Sequence, residues 1–151
     1  MLPIANLKDR TQEFFCYSTG RLSALLAGAT INTQILIQAD SDFLVEKLTM
    51  TTDLAGAAYT VSTAPVPNAT VLLTASGSGQ QLMNTPVPLG SLFGSGQLPF
   101  ILPYPRVLRA NSQLQIQIVN FDAAVITAQI TLNFHGRKIY NLATPINLGV
   151  K

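Results

Sequence analysis

Gln113-Leu114-Gln115-Ile116-Gln117-Ile118 sets a polar residue at every odd position and an apolar one at every even position. Side chains of a strand point alternately to its two faces, so this period buries Leu114, Ile116 and Ile118 and turns the glutamines outward. Gln129-Ile130-Thr131-Leu132-Asn133-Phe134 repeats the pattern. Strands with one apolar face need a second layer to cover it, and the outward Gln, Thr and Asn can bond to a neighbour without burying an unpaired charge.

Working outward, Thr30 to Ala39 and Phe43 to Thr52 are rich in Ile, Leu, Val and Thr, and Asp40-Ser41-Asp42 between them is a turn signal. Phe43 and Val45 share one parity, whereas Leu48 and Met50 share the other, so a bulge is expected around Glu46-Lys47. Asn68 to Ala75 is a further strand, closed by Ser76-Gly77-Ser78-Gly79. Asn111-Ser112 and Asn120-Phe121-Asp122 mark turns on either side of the first alternating run.

Residues 1–29 read as an arm plus one short element. Leu22, Leu25, Leu26 and Ala29 fall at helical spacing with Ser18 or Thr19 available as a cap, and a strand with a turn at Gly20 fits equally. Residues 80–105 hold Pro86, Pro88, Gly90, Gly94, Gly96, Pro99, Pro103 and Pro105, which predicts a long loop with one short strand near Phe100-Ile101-Leu102. Loops of that length are usually functional or held in a contact. Leaving Leu89, Leu92, Phe93, Leu98 and Phe100 in water would cost about 1.5 kcal/mol or more each. They are therefore expected to pack on the domain or to form subunit contacts.

Many short strands, regular turns and no convincing long helix predict an all-β, single-domain antiparallel β-sandwich of the jelly-roll or Greek-key kind. Its expected extent is residues 30–140, with 1–29 as arm and 141–151 as a C-terminal tail. A chain of 151 residues buries roughly two-thirds of its unfolded surface and needs neither disulfide nor metal to be stable. The single Cys16 excludes an intrachain disulfide.

Charged residues make up 11% of the chain, against about 25% in an ordinary soluble domain. None occurs from Leu54 to Pro105. Dispersed charge normally keeps a free monomer in solution, so so neutral a surface suits one that a partner covers. The net charge of +2 lacks the basic stripe of a sequence-independent nucleic-acid binder. Prolines interrupt the uncharged stretch, so no membrane span is expected, and Leu22 to Ala29 is too short and acid-flanked for a secretory signal.

Chemistry is sparse. One histidine, His135, and one cysteine nearly rule out a zinc site of the usual ligands. A Cys16/His135 pair would need the two to meet in space, and an exposed histidine before a glycine turn is the simpler expectation. Asp40 and Asp42 lack the further carboxylates of a calcium loop, and neither Gly-Ser stretch precedes the helix and lysine of a phosphate-binding loop. Arg106, Arg109, Arg137 and Lys138 are candidates for a basic contact patch, with plain solubilisation as the alternative. No catalytic residue, cofactor or metal is expected.

Gly28-Ala29-Thr30, Ala39-Asp40-Ser41-Asp42-Phe43-Leu44-Val45, Pro103-Tyr104-Pro105-Arg106-Val107-Leu108-Arg109-Ala110-Asn111-Ser112 and Leu132-Asn133-Phe134-His135-Gly136-Arg137-Lys138-Ile139-Tyr140 resemble small virion structural proteins of tailed bacteriophages. The resemblance spans roughly residues 28–140 and carries no active-site motif. It implies a non-enzymatic subunit, a trimer or dimer, that binds the major capsid protein as a head decoration (cement) protein within a virion assembled in the host cytoplasm. A tail, fibre or baseplate subunit is the alternative within the same particle. A carbohydrate-binding sandwich is a third reading, weakened by the absence of Trp.

Overall fold

The computed structural model describes residues 12–54, 68–77, 79–121 and 127–140. The described residues form ten strands: β1 (Gln12–Ser18), β2 (Leu22–Leu25), β3 (Thr30–Leu36), β4 (Ser41–Leu54), β5 (Ala69–Ala75), β6 (Gln80–Gln81), β7 (Val87–Pro88), β8 (Phe100–Leu108), β9 (Gln113–Asn120) and β10 (Thr127–Tyr140). One helical turn, α1 (Leu89–Leu92), lies between β7 and β8. Sheet A runs β1-β10-β4-β8, with β2 continuing the β1 edge along β10; sheet B runs β3-β9-β5-β6, with β7 beside β6 on β5. All pairings between these strands are antiparallel.

The order follows one rule: strands of the first half meet strands of the second half in reverse. β1 pairs β10, β3 pairs β9, β4 pairs β8, and β5 pairs β6 and β7. A long hairpin is thus rolled up and sealed by the β4–β10 and β5–β9 pairings. The all-β sandwich expected from the strand pattern is thus present, and of the two kinds expected this pairing order is that of a jelly roll.

The alternating runs bury the residues their period assigns. Leu114, Ile116 and Ile118 of β9 face Ile130, Leu132 and Phe134 of β10 through one core, joined by Val71 and Leu73 of β5. At one end Phe43, Tyr17 and Phe15 form an edge-to-face cluster, with Phe43–Tyr17 centroids 4.8 Å apart; Phe93 and Phe134 meet edge-on at 5.6 Å.

The parity change in β4 is a bulge at Glu46, as expected. His135 pairs Lys47 while Gly136 pairs Val45, which leaves Glu46 without an opposite residue. Gly136 is the matching half of this irregularity, since a Cβ there would lie 1.8 Å from the Leu44 carbonyl oxygen. Phe43 and Val45 on one side and Leu48 on the other thereby all reach the core.

Two readings are corrected and one open alternative is settled. The segment read as an arm is sheet from Gln12, because Phe15 and Tyr17 alternate inward against β10. Residues 1–11, the tail 141–151 and Asp122 lie outside the described residues. Of the two readings around Gly20, the strand is correct: Gly20 sits at φ 68, and Thr19 spans the break by accepting the Leu132 N–H on its hydroxyl. The glycine after His135 does not turn the chain, and β10 runs through it to Tyr140.

The stretch 80–105 is largely structured. β8 extends from Phe100 to Leu108 despite Pro103 and Pro105, because 102–105 arch away from β4, where no donor is needed: Ile101 pairs Lys47 and the ladder resumes at Arg106 with Val45. Gly94 seals the loop before it, donating to the Leu48 carbonyl and accepting from the Met50 N–H.

Candidate interaction surface

The expected contact residues separate into different environments. Leu89 and Phe93 are fully buried core residues, since α1 lays Leu89 against β5 and its C-terminal turn directs Phe93 onto Phe134. They are not available to a partner. Leu92 and Phe100 are half-buried against the same core, and only Leu98 of the five is well exposed.

The four cations do not form one patch. Lys138 follows the inward parity of Phe134 and Gly136 and is buried at the end of the sandwich. Its ammonium sits 4.3 Å from the centroid of the Phe15 ring, 2.9 Å from Asp40 Oδ2, and bonded to Gln38 Oε1. Arg137 points to the opposite face, where Nη2 meets Glu46 Oε1 at 2.5 Å and Nη1 donates to Gln12 Oε1 at 2.6 Å. Arg106 lines a small apolar cleft with Val45 and Leu108, and its guanidinium donates to Gln80 at 3.4 Å across the gap between the sheets. Arg109 is exposed just beyond β8. Lys138, Arg137 and Arg106 therefore act as ties within the fold at separate places, and Arg109 is the exposed one of the four.

Burial pushes the Lys138 ammonium down, but hydrogen bonding and the charge of Asp40 outweigh it, so the net direction is up. The Asp40 carboxyl is held below its usual range, first by its hydrogen bond to Lys138. A depressed carboxylate contributes stability above its unfolded value, about 3.9, that is lost as pH falls through the folded value. The urea midpoint is therefore expected to fall as pH drops below about 4, and Asp40→Asn is expected to flatten that limb. An acid limb of unchanged steepness in the variant would remove Asp40 from the account.

The chain's sole cysteine and histidine do meet: Cys16 and His135 are opposite residues on β1 and β10. Burial raises the Cys16 thiol and lowers the His135 imidazole, the latter helped by the Lys47 charge. Both groups are driven neutral, the reverse of a thiolate–imidazolium pair. The histidine Nε2 is engaged with Thr49 Oγ1 at 2.8 Å. Asp42 accepts the Ala110 N–H at 2.9 Å, so both aspartates of the 40–42 turn have structural roles. Among the described residues no cluster of three His, Cys, Asp or Glu side chains could hold a metal, and no helix is long and apolar enough to cross a membrane.

The outer face of sheet B is of a different kind. The registers Asn32–Gln117–Leu72 and Gln34–Gln115–Thr74 cross β3, β9 and β5 in rows. Gln117 Nε2 donates to Asn32 Oδ1 at 3.2 Å. These rows line a shallow, open depression of about 670 Å³, and none of its lining residues is ionisable. Such a surface offers amide donors and acceptors in a grid set by the strand spacing, and covering it strands no charge. Sequence reasoning identified the outward glutamines of β9; the partner rows on β3 and β5 needed the register. No family model matches the chain, and neither a curated protein nor a solved structure shows significant similarity to it.

Proposed function

We propose that this protein is a structural subunit of a virus particle, a head decoration protein that docks on an assembled shell through the outer face of sheet B. The observation that carries the reading is the charge-free amide grid of that face, with its 670 Å³ depression. Ordinary free surfaces intersperse charges of both signs, and a face without them suits a permanent contact. The jelly roll agrees, being frequent among capsid and lectin domains, although a fold alone does not assign a function. Neutral Cys16 and His135 give no support to nucleophilic chemistry. The resemblance to phage virion proteins supplies the particle.

The test is re-addition of purified protein to particles stripped of it. Wild type is expected to rebind at high copy number and to raise the temperature at which the particles open. Gln115→Lys, which brings an unpaired charge into the contact, is expected to lower apparent affinity at least about tenfold while leaving the subunit's urea midpoint unchanged. Particles equally heat-stable with and without the protein would overturn the head reading, and a copy number of a dozen or fewer would favour a tail or vertex subunit.

A further inference from the structure

Open sheet edges carry unpaired N–H and C=O groups and invite another strand, so proteins blunt them with charges, prolines, bulges or brevity. Three of the four edges of this sandwich are blunted. The β1–β2 edge is broken at Gly20 and flanked by Glu13 and Arg21. The β8 edge arches out through Pro103 and Pro105. The β6 and β7 edge consists of two short pieces, one of which contains Pro88.

β3 has none of these devices. Thr30-Ile31-Asn32-Thr33-Gln34-Ile35-Leu36 is seven residues long without a proline, glycine or charge, and among the described residues it pairs only with β9. The Ala29 carbonyl accepts from Asn120, and Ile37 exchanges bonds with Ser112 and Asn111. By the two-residue period of an antiparallel ladder, the odd residues bond to β9, and the backbone groups of Thr30, Asn32, Gln34 and Leu36 point away from it. Leu36 is left 59% exposed at the end of this edge.

We propose that β3 pairs antiparallel with β3 of a second copy about a two-fold axis at Thr33, joining the two B sheets edge to edge. This strand is complementary to itself. Centred on Thr33, Thr30 meets Leu36 and Asn32 meets Gln34 of the second copy, so all four outward residues of each chain find partners. Centring on Asn32 or Gln34 engages only three. On the outer face the pairing sets amide against amide and carries the Asn32–Gln117 and Gln34–Gln115 rows across the axis. On the inner face it sets Ile31 beside Ile35 and Thr33 beside its own copy, pairs of the kind that stabilise sheets. A second copy is the matched occupant because the edge carries no charge to select a foreign strand.

The inference stands apart from the particle reading, since it is tested on the purified full chain by sedimentation across a concentration series. A monomer–dimer equilibrium is expected. Gln34→Pro removes an N–H that points away from β9, so it is expected to abolish the dimer while keeping the circular dichroism spectrum of the fold. Asn32→Lys with Gln34→Lys opposes like charges across the axis and is expected to weaken the dimer about tenfold. Asn32→Lys with Gln34→Glu opposes unlike charges in the same register and is expected to restore it. A wild-type monomer at every concentration up to the solubility limit, or a dimer indifferent to Gln34→Pro, would overturn the pairing. Equal weakening by both charge combinations would overturn the register.

Discussion

Gly136→Ala is expected to destabilise the protein by about 3 kcal/mol or more, although it adds a single methyl group. The added Cβ would lie 1.8 Å from the Leu44 carbonyl oxygen, 2.8 Å from its carbon and 3.1 Å from the Val45 Cα. These are backbone atoms of the central pair of sheet A, so relief requires β4 and β10 to separate where the Glu46 bulge brings them together. Gly96→Ala is the control: nothing lies within 4 Å of the added Cβ, so a change within about 0.5 kcal/mol is expected. Urea midpoints followed by circular dichroism compare the two. Equal midpoints would mean that β4 and β10 do not approach as described.

Phe43→Ala is the second large effect, about 3–5 kcal/mol. Phe43 is fully buried and closes the inner end of the aromatic cluster, edge-on to Tyr17 at 4.8 Å and to Phe15 at 6.5 Å. Its removal leaves a cavity beside the Tyr17 ring and the Phe15 ring, the latter carrying Lys138. For a domain of this size the melting temperature is expected to fall by roughly 10 °C. Phe43→Leu, which refills most of the volume, is expected to recover more than half of the loss. A Phe43→Ala midpoint within 1 kcal/mol of wild type, on the same order-of-magnitude scale, would show that the cluster is not packed as described.

What the sequence makes legible follows from how local each determinant is. The alternation of β9 and the start of β10, and the parity change at Glu46, depend only on which side chains can face one core, and all are read correctly from the residues. Proline and glycine mislead because their local meaning is conditional. Pro103 and Pro105 mark a loop unless the strand leaves its partner there, and Gly136 marks a turn unless a neighbouring backbone presses on it. The candidate surface divides in the same way. The uncharged outward residues of β9 are visible in one dimension, but burial of Leu89, Phe93 and Lys138 is decided by helix placement and strand parity beyond the bulge. Lys138 in particular reads as solvated because nothing nearby in sequence reveals Asp40, Gln38 and Phe15 around it.

The reversed order of pairing also governs when the molecule can become itself. β10 is the last of the described strands and also an interior strand of sheet A, held between β4 and the β1–β2 edge. A nascent chain that has reached only Asn120 has both flanks of that sheet but not the strand between them. Apolar faces made early, including Phe15, Tyr17 and Leu48, must wait for Ile130, Leu132 and Phe134. Folding that depends on such distant partners is slow, since the loop-closure entropy is lost before the contacts form. During synthesis the chain therefore spends its longest interval with sticky surfaces uncovered, and a ribosome stalled before β10 would release a product prone to aggregate.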